Sequence, residues 1–183
     1  SITSMVVIAL IFTNLYAKDG YLTFLCNFLG IPTPEKGFLF STSTALPSIM
    51  LMDVWVSFGY YLILYLAALQ AIPLELYEAA EISGATFWQK FCYVTLPYLR
   101  PMTLLIVLIN TIRSFQIFIE IFVMTKGGPL NSTLTMVYSV YENGLVRFQM
   151  GYASAMAYVL FFIIMIFSLL QMKIFGLGKG IEE

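Results

Sequence analysis

The sequence predicts an all-α integral membrane protein, a polytopic bundle of transmembrane helices. Three observations carry this. Of the 183 residues, 60% are hydrophobic and only 10% are charged, with a mean hydropathy of +0.88; soluble domains are nearer half apolar and a quarter charged. The apolar residues gather into four long runs. A hydrocarbon core offers the backbone no water, so each spanning run must be a helix that satisfies its own hydrogen bonds. None of the runs alternates with a period of two, as the strands of a membrane barrel would.

The first run covers about residues 2–17, ITSMVVIALIFTNLYA, which is short for a span of roughly 20 residues and reads as cut at its start. The sequence opens at Ser1, inside that run, with neither Met nor a basic leader; this does not fit a signal peptide and is read as a fragment whose upstream residues are missing. Residues 18–45 follow, with Gly20, Gly30, Pro32, Pro34 and Gly37, and an apolar patch, YLTFLCNFLG, that fits a short interfacial helix. The second run, about 46–72, has Pro47 near its first turn, and a polar stretch at 73–97 separates it from a third run at about 98–124.

Residues 125–149 begin TKGGPLNST, a strong turn signal; Asn131-Ser132-Thr133 is formally a glycosylation sequon and is read as a chance match. The fourth run, about 150–175, opens with Gly151, Ala153, Ser154, Ala155 and Ala157, a small-residue spacing that lets helices approach closely, with Tyr152 beside them as a candidate pathway residue. Trp55 and the many Tyr and Phe residues read as lipid-facing or core.

Several chemistries are excluded. There is no histidine, and Cys26 and Cys92 are far apart, outside any metal or redox spacing, so both read as ordinary thiols. No GxxxxGK[ST] loop occurs, and GLGKG at 176–180 lacks that spacing and follows a membrane segment, so this chain hydrolyses no nucleotide by itself. A net charge of −1 with no basic run gives no reason to expect a nucleic-acid partner. Orientation by loop charge is a draw: Lys90, Arg100, Lys173 and Lys179 lie on one side, and Lys18, Lys36, Lys126 and Arg147 on the other. Parity still puts 73–97 and the C-terminus on one face, and 18–45 and 125–149 on the opposite one.

The polar stretch carries its own local signals. Pro73 suits a first helical position, and Glu75 and Glu78 favour the positive end of a helix dipole. LELYEAAEIS is rich in helix formers, and Ala79, Ala80 and Ile82 give it a small, shallow apolar surface. Gly84 fits a left-handed position just past the helix end. Thr86 then opens TFWQ, a capping box that starts a second helix with Phe87, Trp88 and Phe91 as apolar anchors, and Pro97 closes the unit. A simple linker needs about 2–8 residues; twenty-five with two caps suggest a docking surface for a soluble partner, with a mere interfacial link as the alternative.

Within the spans, Asp53, Arg113 and Glu120 stand out, because an ionised side chain at mid-membrane costs at least about 2.5–3.5 kcal/mol. Asp53, Val56, Ser57 and Tyr60 share a helix face, as do Asn110, Arg113, Ser114 and Ile117, with Glu120 extending the second stripe. Two polar stripes suggest a water-accessible path; an Asp53–Arg113 ion pair that only locks helices together is the other reading.

Glu78-Ala79-Ala80, three residues, Gly84, nine residues, then Val94-Thr95-Leu96-Pro97 resembles the EAA loop of ABC importer permeases. LAALQAIPLELYEAA, WQKFCYVTLPYLRP, SFQIFIEIFVMTKGGP and GYASAMAY look like the carbohydrate-importer permeases of the MalF/UgpA type, and Gly127-Gly128-Pro129 points to the F-type subunit. The resemblance covers nearly the whole chain. Ser83 stands where the family commonly has Asp, and Val94 replaces Ile.

The resemblance implies a type I ABC importer permease fold, here about four of its six core transmembrane helices plus a cytoplasmic coupling helix-turn-helix. It implies ATPase coupling through Glu78, Ala79, Ala80, Ile82, Gly84 and Ala85. It carries a sugar-pathway role onto Asp53, Ser57, Tyr60, Asn110, Arg113, Ser114 and Ile117. Arg113 can grip a carboxylate, which suggests an acidic or highly polar oligosaccharide.

The implied partners are a G-type second permease subunit in a heterodimer, cytoplasmic ATP-binding subunits that hold the ATP and Mg, an extracellular sugar-binding protein, the sugar and membrane lipid. This chain itself holds no cofactor and is a transporter subunit, not an enzyme. The implied location is a prokaryotic inner membrane, with 73–97 and the C-terminus cytoplasmic. A non-sugar ABC substrate, an ion-coupled secondary transporter and a structural anchor are the rival readings.

Overall fold

The computed structural model describes residues 3–34 and 36–175 and holds no strand among them. The sequence's GLGKG, Lys179, the C-terminal tail beyond 175 and residue 2 of the first run lie outside the described residues. The helices are α1 (Met5–Leu15), α2 (Tyr21–Phe28), α3 (Ala45–Gln70), α4 (Leu74–Ile82), α5 (Phe87–Lys90), α6 (Leu96–Phe115), α7 (Ile119–Met124), α8 (Met136–Tyr141) and α9 (Met150–Phe175). Three helical stretches are long and apolar enough to cross a membrane: Ala45–Gln70, Phe87–Met124 and Met150–Phe175. At 1.5 Å per residue, α3 and α9 each reach about 39 Å, which exceeds a hydrocarbon core of about 30 Å. Between 6% and 17% of each apolar window is buried, so most of this surface is left for lipid or neighbouring chains.

The chain divides into two compact units, one of residues 1–57 with 113–164 and one of 58–112 with 165–183. The core of the first unit is built by α1, a 3₁₀ turn at Phe38–Phe40, the start of α3, α7 and α8, where Ala9, Ile49, Met52 and Ile121 are wholly buried. Tyr16 pins this core. Its hydroxyl donates to the Ser48 carbonyl at 2.9 Å, and its own carbonyl accepts from Phe38 N–H at 3.2 Å.

The first run is the first correction. Only Met5–Leu15 is helical, and the helix closes at Tyr16. Eleven residues rise about 16 Å. The chain turns back tightly there: a Cβ on Gly20 would lie 2.6 Å from the Asn14 carbonyl oxygen, and the Thr23 hydroxyl caps Ala17 O at 2.9 Å. α2 confirms a helix in the YLTFLCNFLG patch.

The third run gives the second correction: it lies within one stretch long and apolar enough to span, Phe87–Met124, but its helix is interrupted there. α6 ends at Phe115, and α7 restarts at Ile119. No proline or glycine marks the gap. Phe118 leaves the helical path at φ −138° and places its ring 5.5 Å from Phe122 and 5.2 Å from Tyr141. The freed Ile117 carbonyl accepts from the Thr135 hydroxyl at 3.1 Å. Aromatic packing worth about 0.5–1.5 kcal/mol per pair and a reassigned hydrogen bond offset the broken helix.

Pro97 gives the third correction. It does not close the polar unit, because the chain stays helical from Phe87 through a π turn at Phe91–Thr95 into α6. The wider turn lets Leu96 N–H bond Phe91 O, five residues back. Proline lacks an N–H and crowds the carbonyl four residues before it; a π turn next to it absorbs both faults. Pro101 likewise lies inside α6. Pro73 sits one position earlier than expected, as the residue that caps α4. Pro47 does fall in the first turn of α3.

Between α7 and α9 the TKGGPLNST segment turns sharply, with Lys126, Gly127, Leu130 and Asn131 at positive φ and a cis Gly128–Pro129 bond. Thr133 holds it, sharing a hydrogen bond with Thr125 and donating to Gly128 O, each at 2.7 Å. Of the small residues that open α9, Ala153 packs closely, since a Cβ added to Gly144 would lie 3.1 Å from its Cβ, whereas a Cβ on Gly151 would meet nothing within 4 Å and Ser154, Ala155 and Ala157 are exposed.

Candidate functional site

The polar stretch forms a helix, a glycine turn and a second helix within the second unit. α4 ends with Ser83 as its last cap residue, and Gly84 follows at φ +77°. Gly84 N–H donates to Glu81 O at 2.9 Å and Ala85 N–H to Ala80 O at 3.0 Å, the paired bonds of a Schellman motif, which satisfies carbonyls that a helix end leaves open. The Ser83 hydroxyl takes one more, donating to Ala79 O at 2.9 Å, which gives the departure from Asp a local use. On the other arm, Gln89 Oε1 accepts from Thr86 N–H at 2.7 Å and from the Thr86 hydroxyl at 3.0 Å. This is the reach-back half of the expected capping box.

Two cross-braces tie the arms together. Lys90 Nζ lies 2.7 Å from Glu81 Oε1 close to the turn, and the Tyr77 and Thr95 hydroxyls share a 2.8 Å bond at the base. The Lys90 hydrogen bond, and then its charge, hold the Glu81 carboxyl below its usual range. Neither brace was read from the sequence. Nine residues separate Glu81 from Lys90, so no helical spacing announces the pair; only the turn brings them together.

The sequence-predicted coupling residues fall together on this element. Glu78, Ala79, Ile82 and Gly84 are exposed, Ala80 and Ala85 partly so. Ile82 is 89% exposed, a bare apolar knob at the end of a braced hairpin. Phe87, Trp88 and Phe91 are not buried anchors: they are exposed and meet one another edge to face, at 5.9 and 6.1 Å.

The span residues are placed less uniformly. In the first unit, Arg113 Nη2 lies 3.4 Å from Asp53 Oδ1, with the side chains 44% and 27% exposed. Charge-assisted bonds are usually about 2.7–2.9 Å, so this pair is loose and leaves most of the guanidinium fork to other partners. Ser57 is buried, and its hydroxyl has no hydrogen-bond partner among the described residues. Ser114 is exposed. Ile117 and Glu120 lie beyond the break between Phe115 and Ile119 and do not continue the Arg113 stripe as one helix face, although the Glu120 carboxyl remains within electrostatic reach of Asp53 and Arg113. Glu120 instead sits buried in α7, 6% exposed.

In the second unit, Asn110 Oδ1 accepts from Tyr61 at 3.1 Å, while the Tyr60 ring meets that of Tyr61 edge to face at 5.5 Å. Tyr65 donates to Thr103 at 3.2 Å, and Gln171 to Thr111 at 2.6 Å. Tyr61 and Tyr65 were missed. Their spacing of four, facing Thr103 and Asn110 at a spacing of seven, was a readable signal of two antiparallel polar faces.

Residues 1–175 match the family described as binding-protein-dependent transport system inner membrane component. The chain is 36% identical over 179 residues to a probable ABC transporter permease, YurN, of Bacillus subtilis, covering 97% of this chain and 61% of that protein. It is 34% identical over 182 residues to the arabinooligosaccharides transport system permease AraP of Halalkalibacterium halodurans, covering 98% and 57%. The fold superposes on a bacterial ABC transporter involved in the import of the acidic polysaccharide alginate, with a TM-score of 0.82 at 22% identity, over 100% of this chain and 63% of that one. The chain thus spans about three fifths of the relatives it matches. On the extent of the family match and on these identities, the chain belongs to the binding-protein-dependent transport system inner membrane components, the ABC importer permeases.

Proposed function

We propose that the chain is the membrane-spanning permease subunit of an ATP-driven, binding-protein-dependent importer of a sugar or oligosaccharide, and that it works as one half of a heterodimer with a G-type permease. The observation that carries the reading is the exposed, doubly braced hairpin at 73–97, with Ile82 at its end. A groove on a cytoplasmic ATPase subunit receives Glu78, Ala79, Ala80, Ile82, Gly84 and Ala85. ATP and Mg belong to that partner, whose closure pushes the hairpin, and the push reaches the spans through the unbroken helix that leaves it. Asp53, Ser57, Tyr60, Asn110, Arg113, Ser114 and Ile117 belong to the substrate pathway. The hairpin and C-terminus face the cytoplasm, and 18–45 and 125–149 face outward.

The names of the relatives support a carbohydrate, since AraP is an arabinooligosaccharide permease and the superposed transporter imports alginate. The loose Asp53–Arg113 contact favours an acidic or highly polar oligosaccharide, whose carboxylate takes the unused guanidinium donors.

The test is made in the assembled transporter. Glu78→Lys reverses the charge at the hairpin, and Gly84→Asp strains its turn. Both are expected to lower co-purification of the ATPase subunit and ATP-driven uptake together. Retention of both properties in both variants would sink the importer reading.

A further inference from the structure

Two tyrosines one turn apart on α3 reach α6 within the second unit, and they leave different chemistry behind. Tyr65 donates to the Thr103 hydroxyl at 3.2 Å, and Thr103 donates its own proton to Leu99 O at 2.9 Å. Both hydroxyl protons are thus used inside the chain. Tyr61 donates to Asn110 Oδ1 at 3.1 Å. A primary amide carries its acceptor oxygen and its two N–H donors at opposite ends of one flat group. Tyr61 therefore takes the acceptor end and turns the Asn110 NH2 away from itself. Its ring is steadied in turn by the edge-to-face contact with Tyr60.

The other asparagines in helical backbone show what the NH2 would otherwise do. Asn14 Nδ2 donates to Leu10 O at 2.9 Å and Asn143 Nδ2 to Ser139 O at 2.8 Å, each four residues back. Asn110 stands in the middle of α6, where the Ile106 carbonyl has the same spacing, yet among the described residues its amide bonds only Tyr61, through its oxygen. Tyr65–Thr103 is a closed staple of the kind that holds membrane helices together. Tyr61–Asn110 is a bond of the same type with two donors left over.

We propose that Tyr61 is a positioning residue of the substrate pathway, which holds the Asn110 amide with its NH2 turned toward the passing sugar, so that this point of the pathway selects a hydrogen-bond acceptor. The inference rests on the importer reading above and on the place of Asn110 in the pathway. A sugar's ring and glycosidic oxygens only accept hydrogen bonds, and its hydroxyls accept as well as donate. A fixed donor therefore suits each successive unit of an oligosaccharide, whereas an amide free to turn would meet ring oxygens with its own oxygen. Fixing the amide beforehand also lowers the ordering cost of each contact.

The experiment uses the full transporter in proteoliposomes, driven by its own purified binding protein and ATP. The probes are a labelled arabino-oligosaccharide and, in a parallel arm, an alginate oligosaccharide. Tyr61→Phe removes only the hydroxyl and keeps the ring beside Tyr60; Tyr65→Phe removes the matched staple and is the control. Both are expected to lower thermal stability by a similar small step. Only Tyr61→Phe is expected to lower the sugar moved per ATP hydrolysed, by about threefold or more, the size of one lost hydrogen bond. Replacing Tyr61 by p-aminophenylalanine, which donates from the same ring position, is expected to restore it. Asn110→Asp keeps an acceptor for Tyr61 but exchanges the donors for a second acceptor, and is expected to lose at least as much as Tyr61→Phe. A smaller fall in Tyr61→Phe, an equal fall in Tyr65→Phe, or no rescue by the amino analogue would make Tyr61 a staple and overturn the proposal while leaving the importer reading intact. Uptake of neither probe by the wild type would overturn the sugar-importer reading and this inference with it.

Discussion

Replacing Gly84 by alanine isolates what the coupling turn requires. Gly84 holds φ +77°, and a Cβ built there meets nothing within 4 Å. The substitution therefore introduces no clash inside the chain. Its cost is the conformational one, about 1–2 kcal/mol for a non-glycine residue in left-handed backbone. Energy of that size shifts the population of the closed turn by about 5- to 30-fold. Asparagine tolerates the same φ, so Gly84→Asn is expected to lose less than Gly84→Ala, and Gly84→Val, branched at Cβ, to lose most. The assay is titration of the ATPase subunit onto the purified permease, with uptake measured in parallel. If affinity follows the order Gly, Asn, Ala, Val, the turn's backbone is what matters. If Asn impairs docking as much as Ala or more, the reasoning fails, and side-chain bulk against the partner's groove replaces turn conformation as the cause.

Two further outcomes follow from the same geometry. The Lys90 contact depresses the Glu81 carboxyl; a depressed acid contributes stability above its unfolded titration range and loses it as pH falls through the folded one. The brace is therefore complete at neutral pH and opens only in acid. Lys90→Met is expected to return the Glu81 titration to the ordinary carboxylate range, measured by carboxyl-selective NMR; an unmoved titration would remove Lys90 as the cause. For Asp53 and Arg113, partly exposed and 3.4 Å apart, a double-mutant cycle with Asp53→Asn and Arg113→Gln is expected to give less than about 1 kcal/mol of coupling in thermal stability. Arg113→Gln should still reduce uptake of uronic-acid oligosaccharides relative to neutral ones; strong coupling with unchanged substrate preference would make the pair a helix lock.

The parts legible in the sequence are those whose cause is local. Gly84, Thr86 and Gln89 act on neighbours within a few residues, and the structure forms the turn they announce and, at Thr86–Gln89, the reach-back bond. The parts that were not legible have causes distant in sequence. The gap at Gln116–Phe118 depends on Phe118 meeting Tyr138 and Tyr141, some twenty residues away, while the local composition reads as an unbroken apolar helix. α8 is six residues long, too short for hydrophobic periodicity to register. Pro97 misled in the opposite sense, since its rule assumes a regular α-helix and the π turn before it removes that premise. In the spans, Asn110 bonds Tyr61, the neighbour of Tyr60 on α3, a pairing between helices that spacing within either one does not announce.

The π turn at Phe91–Thr95 also sets an angle. A helix advances about 100° per residue, and a π turn accommodates one residue more than the regular helix would. It therefore fixes the rotational phase between the hairpin arm at Phe87–Lys90 and the face of α6 that carries Thr103 and Asn110. Loss of one residue within Phe91–Thr95 would spare the Glu81–Lys90 brace, break the Tyr77–Thr95 bond and swing that face by about 100°. The hairpin arm and the polar face of α6 are thus keyed to one another like two cams on a single shaft, with the spacing between them recorded as a residue count.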